Sequence, residues 1–260
     1  MKRYSQIFIV CFLAILPFNT QAQQWSKSKA RDWYAGKDWP VGCNFIPSTA
    51  INQLEMWQAE SFDSVTIDRE LGYAESIGFN TVRVFLHHLA WQEDAVGFKK
   101  RVDEYLTIAN KHHIYTVFVF FDDCWNATYH TGKQPEPKIG VHNSGWVRDP
   151  GKLIYEEQDT LYPILESYVK DVLNTFKNDP RILMWDLYNE PGNSANGRRT
   201  LPLLKMVFKW AREVNPSQPV TAGVWTKALP ALRSFQLKHS DVITYHNYFK
   251  APMHASAIKA

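Results

Sequence analysis

Cysteine is scarce in this chain: three residues in 260, and one of them, Cys11, lies inside the apolar run 7–16. Cys43 and Cys124 are too few to staple a scaffold or to build a thiolate metal site, so two buried free thiols are expected. Blocks of like charge are missing as well. The Lys and Arg residues are scattered, the formal charge is only +3, and no basic stripe for nucleic acid forms. No glycine-rich phosphate loop follows the first strand-like stretch, which argues against nucleotide binding. No HExxH or His-x-His spacing occurs. No Gly/Ser or Pro linker divides the chain, so one large domain is expected.

Long apolar runs are also absent. The run 7–16 is too short to cross a bilayer, and Lys2 and Arg3 precede it while Thr20, Gln21 and Ala22 follow. That is the layout of a signal peptide over 1–22, leaving a mature domain of 23–260 exported to the periplasm, cell surface or medium, with no membrane span. Removal of the leader takes away two positive charges and no negative one, leaving about +1.

Aromatic residues are abundant instead: ten Trp, twelve Tyr and fifteen Phe. That is more Trp than a core of this size requires, and surplus aromatics commonly line a ligand cleft. Strand-like runs at 39–46, 81–88, 115–123, 182–191, 219–225 and 241–248 alternate with helix-period stretches. Examples are Ile67, Leu71, Ala74 and Ile77, then Phe98, Val102, Tyr105, Leu106 and Ala109, then Ile164, Leu165, Tyr168, Val169, Val172 and Phe176. Helices are expected around 201–214 and 228–238. This βα repetition predicts an α/β fold with a parallel sheet. Nearly every strand ends in polar or aromatic residues: Asn44, His87-His88, Asp122-Asp123, Asn189-Glu190, Trp225, and His246 with Tyr248. A (β/α)8 barrel gathers such ends on one face, whereas a doubly wound sheet concentrates them at one switch point. Six strands are counted where a closed barrel has eight, so the barrel is expected to be truncated after about six βα units.

Glu190 ends an apolar strand and is followed at once by Pro191 and Gly192. A carboxylate there is costly unless it is solvated, paired or in use. One reading is a helix-start acid favoured by backbone amides. The other is a general acid whose pKa is raised by the apolar strand behind it, with the neutral Asn189 alongside.

"WDLYNEP" (185–191) resembles the acid/base motif of the clan A glycoside hydrolases, above all the cellulase-like family 5. "GCNF" (42–45) is similar to that family's first strand, "NTVRVFL" (80–86) to its second, and "YHNY" (245–248) to its sixth. The resemblance implies a secreted, monomeric, retaining hydrolase of β-linked glycans, endo-acting through an open cleft and using no cofactor or metal. It implies Glu190 as acid/base, Asn189 on the sugar 2-hydroxyl, and Arg83 beneath the site orienting the nucleophile. His246 and Tyr248 would line the subsite of the reacting sugar. The family's His-Asn pair after the third strand is replaced here by Asp122, Asp123, Cys124 and Trp125.

A retaining mechanism needs a second carboxyl about 5–5.5 Å away. The family's nucleophile is a Glu ending the seventh strand, and neither Asp nor Glu follows Tyr248. Asp186 would lie about 13 Å deeper on the same strand, whereas Asp122 or Asp123 at the mouth suits only an inverting spacing. Three rival readings stand beside the hydrolase. One is a non-catalytic carbohydrate-binding or non-functional remnant. The second is a metal-dependent hydrolase using His87, His88, Asp122 and Asp123. The third is a fragment that does not fold alone. Further sugar contacts are expected from Asn44, His88 and Asp123. Trp125, Trp146 and Trp225 are expected to stack on sugar rings, the first two from a long loop over 125–155. His112 and His113 read as structural.

Overall fold

A computed structural model describes residues 24–250 and 253–255, so the leader assigned to 1–22 lies outside the described residues. Five strands run parallel: β1 Gly42–Asn44, β2 Thr81–Phe85, β3 Tyr115–Asp122, β4 Ile182–Asn189 and β5 Val220–Thr221. Their spatial order is their chain order. A doubly wound sheet reverses its order at a switch point, whereas consecutive parallel pairing is the winding of a (β/α)8 barrel.

Helices α1 Lys27–Ala35, α2 Gln53–Trp57, α3 Ser64–Ser76, α4 His88–Glu93 and α5 Ala95–Lys111 precede β3. They are followed by α6 Leu153–Glu156, α7 Gln158–Phe176, α8 Leu201–Val214 and α9 Pro230–His239. Sequence chemistry sets their starts: Asp63 accepts from the Thr66 amide at 3.0 Å to begin α3, and Asp94 accepts from Gly97 at 2.8 Å to begin α5. The helix-period stripes face the sheet. Phe98, Val102, Tyr105, Leu106 and Ala109 are all buried on α5, and Leu165, Tyr168, Val169, Val172 and Phe176 on α7. Two residues depart from these stripes: Ile77 caps α3 and is exposed, and Ile164 on α7 is only half-buried.

The outer face of the sheet carries the core. Trp185 stacks on Phe118 and Phe120 at 5.7 and 5.5 Å between ring centres. Trp57 sits among Phe98, Tyr105 and Phe118, and its indole N–H donates to the Phe85 carbonyl at 2.8 Å. The inner face is more polar. Register places Asn44 beside Arg83 and Arg83 beside Val117, then Val119 beside Asp186 and Asp186 beside Thr221. Helix α1, which no apolar period announces, sets Trp33 against Val117, Leu183 and Met184. The segment before it is tied to the far side of the sheet, where the Trp25 amide donates to Asp241 at 2.8 Å.

The strand expected over 241–248 shrinks to a single parallel bridge, Val224 to Tyr245. Two backbone bonds of 2.9 Å hold it, Val224 N–H to the Thr244 carbonyl and His246 N–H to the Val224 carbonyl. Side chains do the rest: Arg212 grips Asp241 at 2.8 and 2.9 Å, and the Thr221 and Thr244 hydroxyls meet at 2.9 Å. β1 and β5 are likewise shorter than expected, and among the described residues β1 pairs with β2 alone and is exposed along its length. Cys43 on β1 is therefore exposed, not buried, and Cys124 is half-buried; neither forms a disulfide.

Candidate active site

The chain turns sharply where β4 ends. Glu190 has a φ of +45° and Gly192 one of +87°. A non-glycine residue holds a left-handed conformation only where its surroundings enforce it. Here the Asn193 amide donates to the Glu190 carbonyl at 3.0 Å, and the Gly197 amide to the Gly192 carbonyl at 2.8 Å. A Cβ on Gly192 would lie 2.8 Å from the Gly197 carbonyl oxygen and closer still to Leu229 and Leu232, so only glycine fits this turn. Asp123 anchors the same loop, accepting from the Gly192 amide at 2.7 Å, the Thr200 hydroxyl at 2.6 Å and the Tyr188 hydroxyl at 3.0 Å.

This turn presents the Glu190 carboxyl to three donors. His246 Nδ1 lies 2.6 Å from Oε1, and Asn193 Nδ2 and Cys124 Sγ lie 2.5 and 3.3 Å from Oε2. Burial raises the Glu190 pKa, but the hydrogen bond and charge of His246, with the Cys124 and Asn193 bonds, outweigh it and leave the group below its ordinary value. The apolar strand was expected to raise it. The strand lies behind the carboxyl, whereas polar side chains surround its oxygens.

Beneath Glu190 lies a polar floor. Arg83 donates to Asp186 at 2.5 and 3.1 Å, to Asn189 Oδ1 at 2.8 Å and to Asn44 Oδ1 at 3.3 Å. Asn189 Nδ2 donates to Asp122 at 2.7 Å, and Asp122 also accepts from the Trp146 indole at 2.8 Å and the Cys124 amide at 2.9 Å. Burial pushes the Asp122 carboxyl up to about 6 against these three hydrogen bonds.

Above the floor opens a cleft of about 620 Å³. Asn44, Arg83, Asn189, Glu190, Trp125 and Tyr248 line it, as do Asp122, Cys124, Trp146 and Asn193. Trp125 is 47% exposed and meets His142 edge-to-face at 5.7 Å, while Tyr248 is 86% exposed. Both are free to present a flat ring to a ligand. Trp146 is buried and held by Asp122 and by Phe85, whose ring it meets at 4.9 Å, so it forms the wall.

Three expected sugar contacts lie elsewhere. Trp225 is half-buried and donates to the Pro191 carbonyl at 2.9 Å, bracing the Glu190 loop. Asp123 is buried in the same loop's anchor. His88 is buried with Asp149, whose carboxylate takes both its ring Nδ1 and its backbone amide, the latter at 2.8 Å. His87, His88 and Asp149 do bring one donor each within 4.8 Å of one another. His87, however, already accepts from the Leu89 amide on Nδ1 at 3.2 Å and meets the Arg148 carbonyl through Nε2, also at 3.2 Å. Burial and the neighbouring His88 push its pKa down to about 4, opposed by Asp149 and Arg148. His87 is thus a neutral, satisfied ring in a clasp between α4 and the loop before α6. His112 and His113 form an external clasp with Asp68 and Glu75 at 2.7–3.0 Å.

Sequence reasoning did not place Cys124 and Asn193 at the site. Cys124 stands directly after the third strand's end, which was a usable signal. Asn193 depends on the turn geometry and had none.

A family model described as cellulase, glycosyl hydrolase family 5, matches residues 48–257. No curated protein sequence matches this chain. Among solved structures, the GH5_18 protein of Streptomyces cattleya in complex with Manβ1-4GlcNAc is similar at a TM-score of 0.54 and 11% identity, over 76% of this chain and 50% of that one. The exo-β-1,4-mannosidase Op5Man5 of Opitutaceae bacterium strain TAV5 is similar at 0.52 and 22%, over 73% and 32%. The GH5_18 protein of Bifidobacterium longum, also with Manβ1-4GlcNAc, is similar at 0.51 and 13%, over 81% and 50%. This chain thus spans half the length of the two GH5_18 proteins and about a third of the mannosidase. Identities this low speak to fold alone, whereas the family model covers most of the chain. With Glu190, Asn189 and Arg83 gathered at the strand ends of a parallel βα sheet, the chain belongs to glycosyl hydrolase family 5.

Proposed function

We propose that this chain carries the acid/base half of an exported, retaining hydrolase of β-linked glycans, with Glu190 as the proton donor and acceptor. One observation carries the reading: the Glu190 carboxyl is held over an open cleft at a strand end, with Asn189 beside it and the exposed rings of Trp125 and Tyr248 lining the same cleft. In the first step, a carboxylate attacks the anomeric carbon as its bond to the glycosidic oxygen breaks, and Glu190 gives that oxygen its proton. In the second, water attacks the same carbon, displaces the carboxylate and returns a proton to Glu190. Side chains suffice for this chemistry.

His246, Cys124 and Asn193 favour the ionised form of Glu190, as the second step requires. Two changes raise its pKa for the first: a sugar that completes its burial, and a second carboxylate about 5–5.5 Å away. Asp122 and Asp186 already accept two or more donated bonds each from the floor, and neither is assigned here as the nucleophile. The solved structures named for Manβ1-4GlcNAc and for β-1,4-mannosidase activity make β-1,4-linked mannosides the first substrates to try. The open cleft favours endo action, and the basic pair Lys2-Arg3 before the short apolar run 7–16 supports export.

The test pairs calorimetric binding of mannooligosaccharides with reducing-end release from mannan. Where the enzyme turns over, Glu190→Gln is expected to lower hydrolysis by about 10²–10⁴-fold while binding persists. Unchanged hydrolysis would overturn the assignment. Binding with no turnover by the 260-residue chain would favour the carbohydrate-binding reading, for which the committed state of Asp122 and Asp186 is the observation.

A further inference from the structure

Cys124 occupies the centre of the hydrogen-bond network beneath the cleft, and donor-acceptor accounting fixes the direction of every bond around it. Arg83 has only donors, so the atom of Asn189 facing it at 2.8 Å is Oδ1, which turns Nδ2 toward Asp122 at 2.7 Å and Cys124 Sγ at 3.4 Å. Asn193 is fixed in the same way. Its Oδ1 accepts from the Ser194 amide, so Nδ2 faces Glu190 and, at 3.4 Å, Cys124 Sγ. Two amide N–H groups therefore point at the sulfur, and of the two carboxylates near its own proton, Asp122 and Glu190, Glu190 Oε2 at 3.3 Å is the one in hydrogen-bond geometry.

We propose that Cys124 is a positioning residue: its thiol receives the Asn189 and Asn193 amides and donates to Glu190, linking the Arg83–Asp186 floor to the acid/base carboxyl and favouring its ionised form. This rests on the reading of Glu190 as acid/base and adds to it a residue foreign to the family's pattern after the third strand.

The charged and titratable groups facing Glu190 are few. His246 touches Oε1, the Tyr248 hydroxyl feels the carboxyl directly by charge and hydrogen bonding, and Asp122 and Arg83 act through Asn189. The thiol is held protonated: burial, then Asp122 and Glu190, push its pKa up. Cys124 is thus a donor and not a nucleophile.

Two measurements on the full chain test this without requiring turnover, so their failure is distinct from that of the hydrolase assignment. In the first, NMR with isotopically labelled glutamate follows the Glu190 carboxyl, identified as the signal lost in Glu190→Gln, through a pH titration. Cys124→Ala is expected to raise its midpoint by about half a pH unit or more, and Cys124→Ser, which keeps a donor, to restore it. In the second, peptide mapping after iodoacetamide treatment compares Cys124 with the exposed Cys43. Glu190→Gln is expected to speed Cys124 alkylation several-fold at neutral pH and leave Cys43 unchanged, since thiolate formation is no longer opposed by a carboxylate. An unshifted midpoint in folded Cys124→Ala, or an alkylation rate at Cys124 indifferent to Glu190→Gln, overturns the proposal. If Cys124→Ala does not fold, the alkylation result decides alone.

Discussion

Asp122 accepts three hydrogen bonds and still keeps its proton up to about pH 6, because burial outweighs them. Its folded pKa lies above the ordinary aspartate value of 3.8, so the native state binds the proton more tightly than the unfolded chain does. That contribution favours the fold in acid and is lost as pH rises through 6, a change of about 3 kcal/mol. Denaturant unfolding of the unaltered chain and of Asp122→Asn at pH 4 and pH 7 should show it: the stability difference between the two shifts by that order across the range, in favour of the variant at pH 7. Parallel curves would mean that Asp122 is ionised throughout. At this scale the sequence located residues well where their position follows from a strand end alone. Glu190, Asn189, Arg83, Asn44, Trp125 and Tyr248 share one cleft, with His246 against Glu190. It was read poorly where adjacent residues compete. Asp122 and Asp123 face opposite ways, one to the floor and one to the loop behind β4, and sequence gives no parity at an irregular strand end.

Among the elements, β4 does the most. All eight of its residues are buried, yet its two faces differ: Trp185 and Leu187 join the core, while Asp186 pairs with Arg83 on the inner side. An unbroken apolar run reveals burial on both faces but not which face lines the barrel. Trp185 stacks between two phenylalanines and donates to Gln218 at 3.1 Å, so Trp185→Ala removes packing that cannot close over. A loss of about 3–5 kcal/mol is expected in chemical denaturation, with cleft residues untouched directly. A loss under about 1 kcal/mol would show that the ring is not a core element. The helices α5 and α7 were fully legible because their stripes have period 3.6 against a flat apolar partner. Helix α1 was not, since it buries no residue of its own and is held by single contacts such as Trp33.

For the whole molecule, order should fall away from the centre of the sheet toward its edges. β3 and β4, eight residues each, are the longest strands and pair with one another, whereas β1 is exposed and the 241–248 segment keeps one bridge. Native-state hydrogen exchange should accordingly be slowest in the β3 and β4 amides and faster by orders of magnitude at 42–44 and 244–246. Equal protection across all strands would contradict this gradient. None of the described helices is long and apolar enough to cross a membrane.

The sequence by itself determined the winding of the chain and the residue that ends its fourth strand. Hydrophobic period distinguishes helix from strand, and a carboxyl after a buried run demands a use. Only the tertiary structure decided the charge state of that carboxyl, because the groups that set it, His246, Cys124 and Asn193, come from three separate segments. A local reading of "YNEP" sees an apolar strand behind Glu190 and predicts a raised pKa. The folded chain brings donors to both carboxyl oxygens and lowers it, since electrostatic neighbours act through space and not along the sequence.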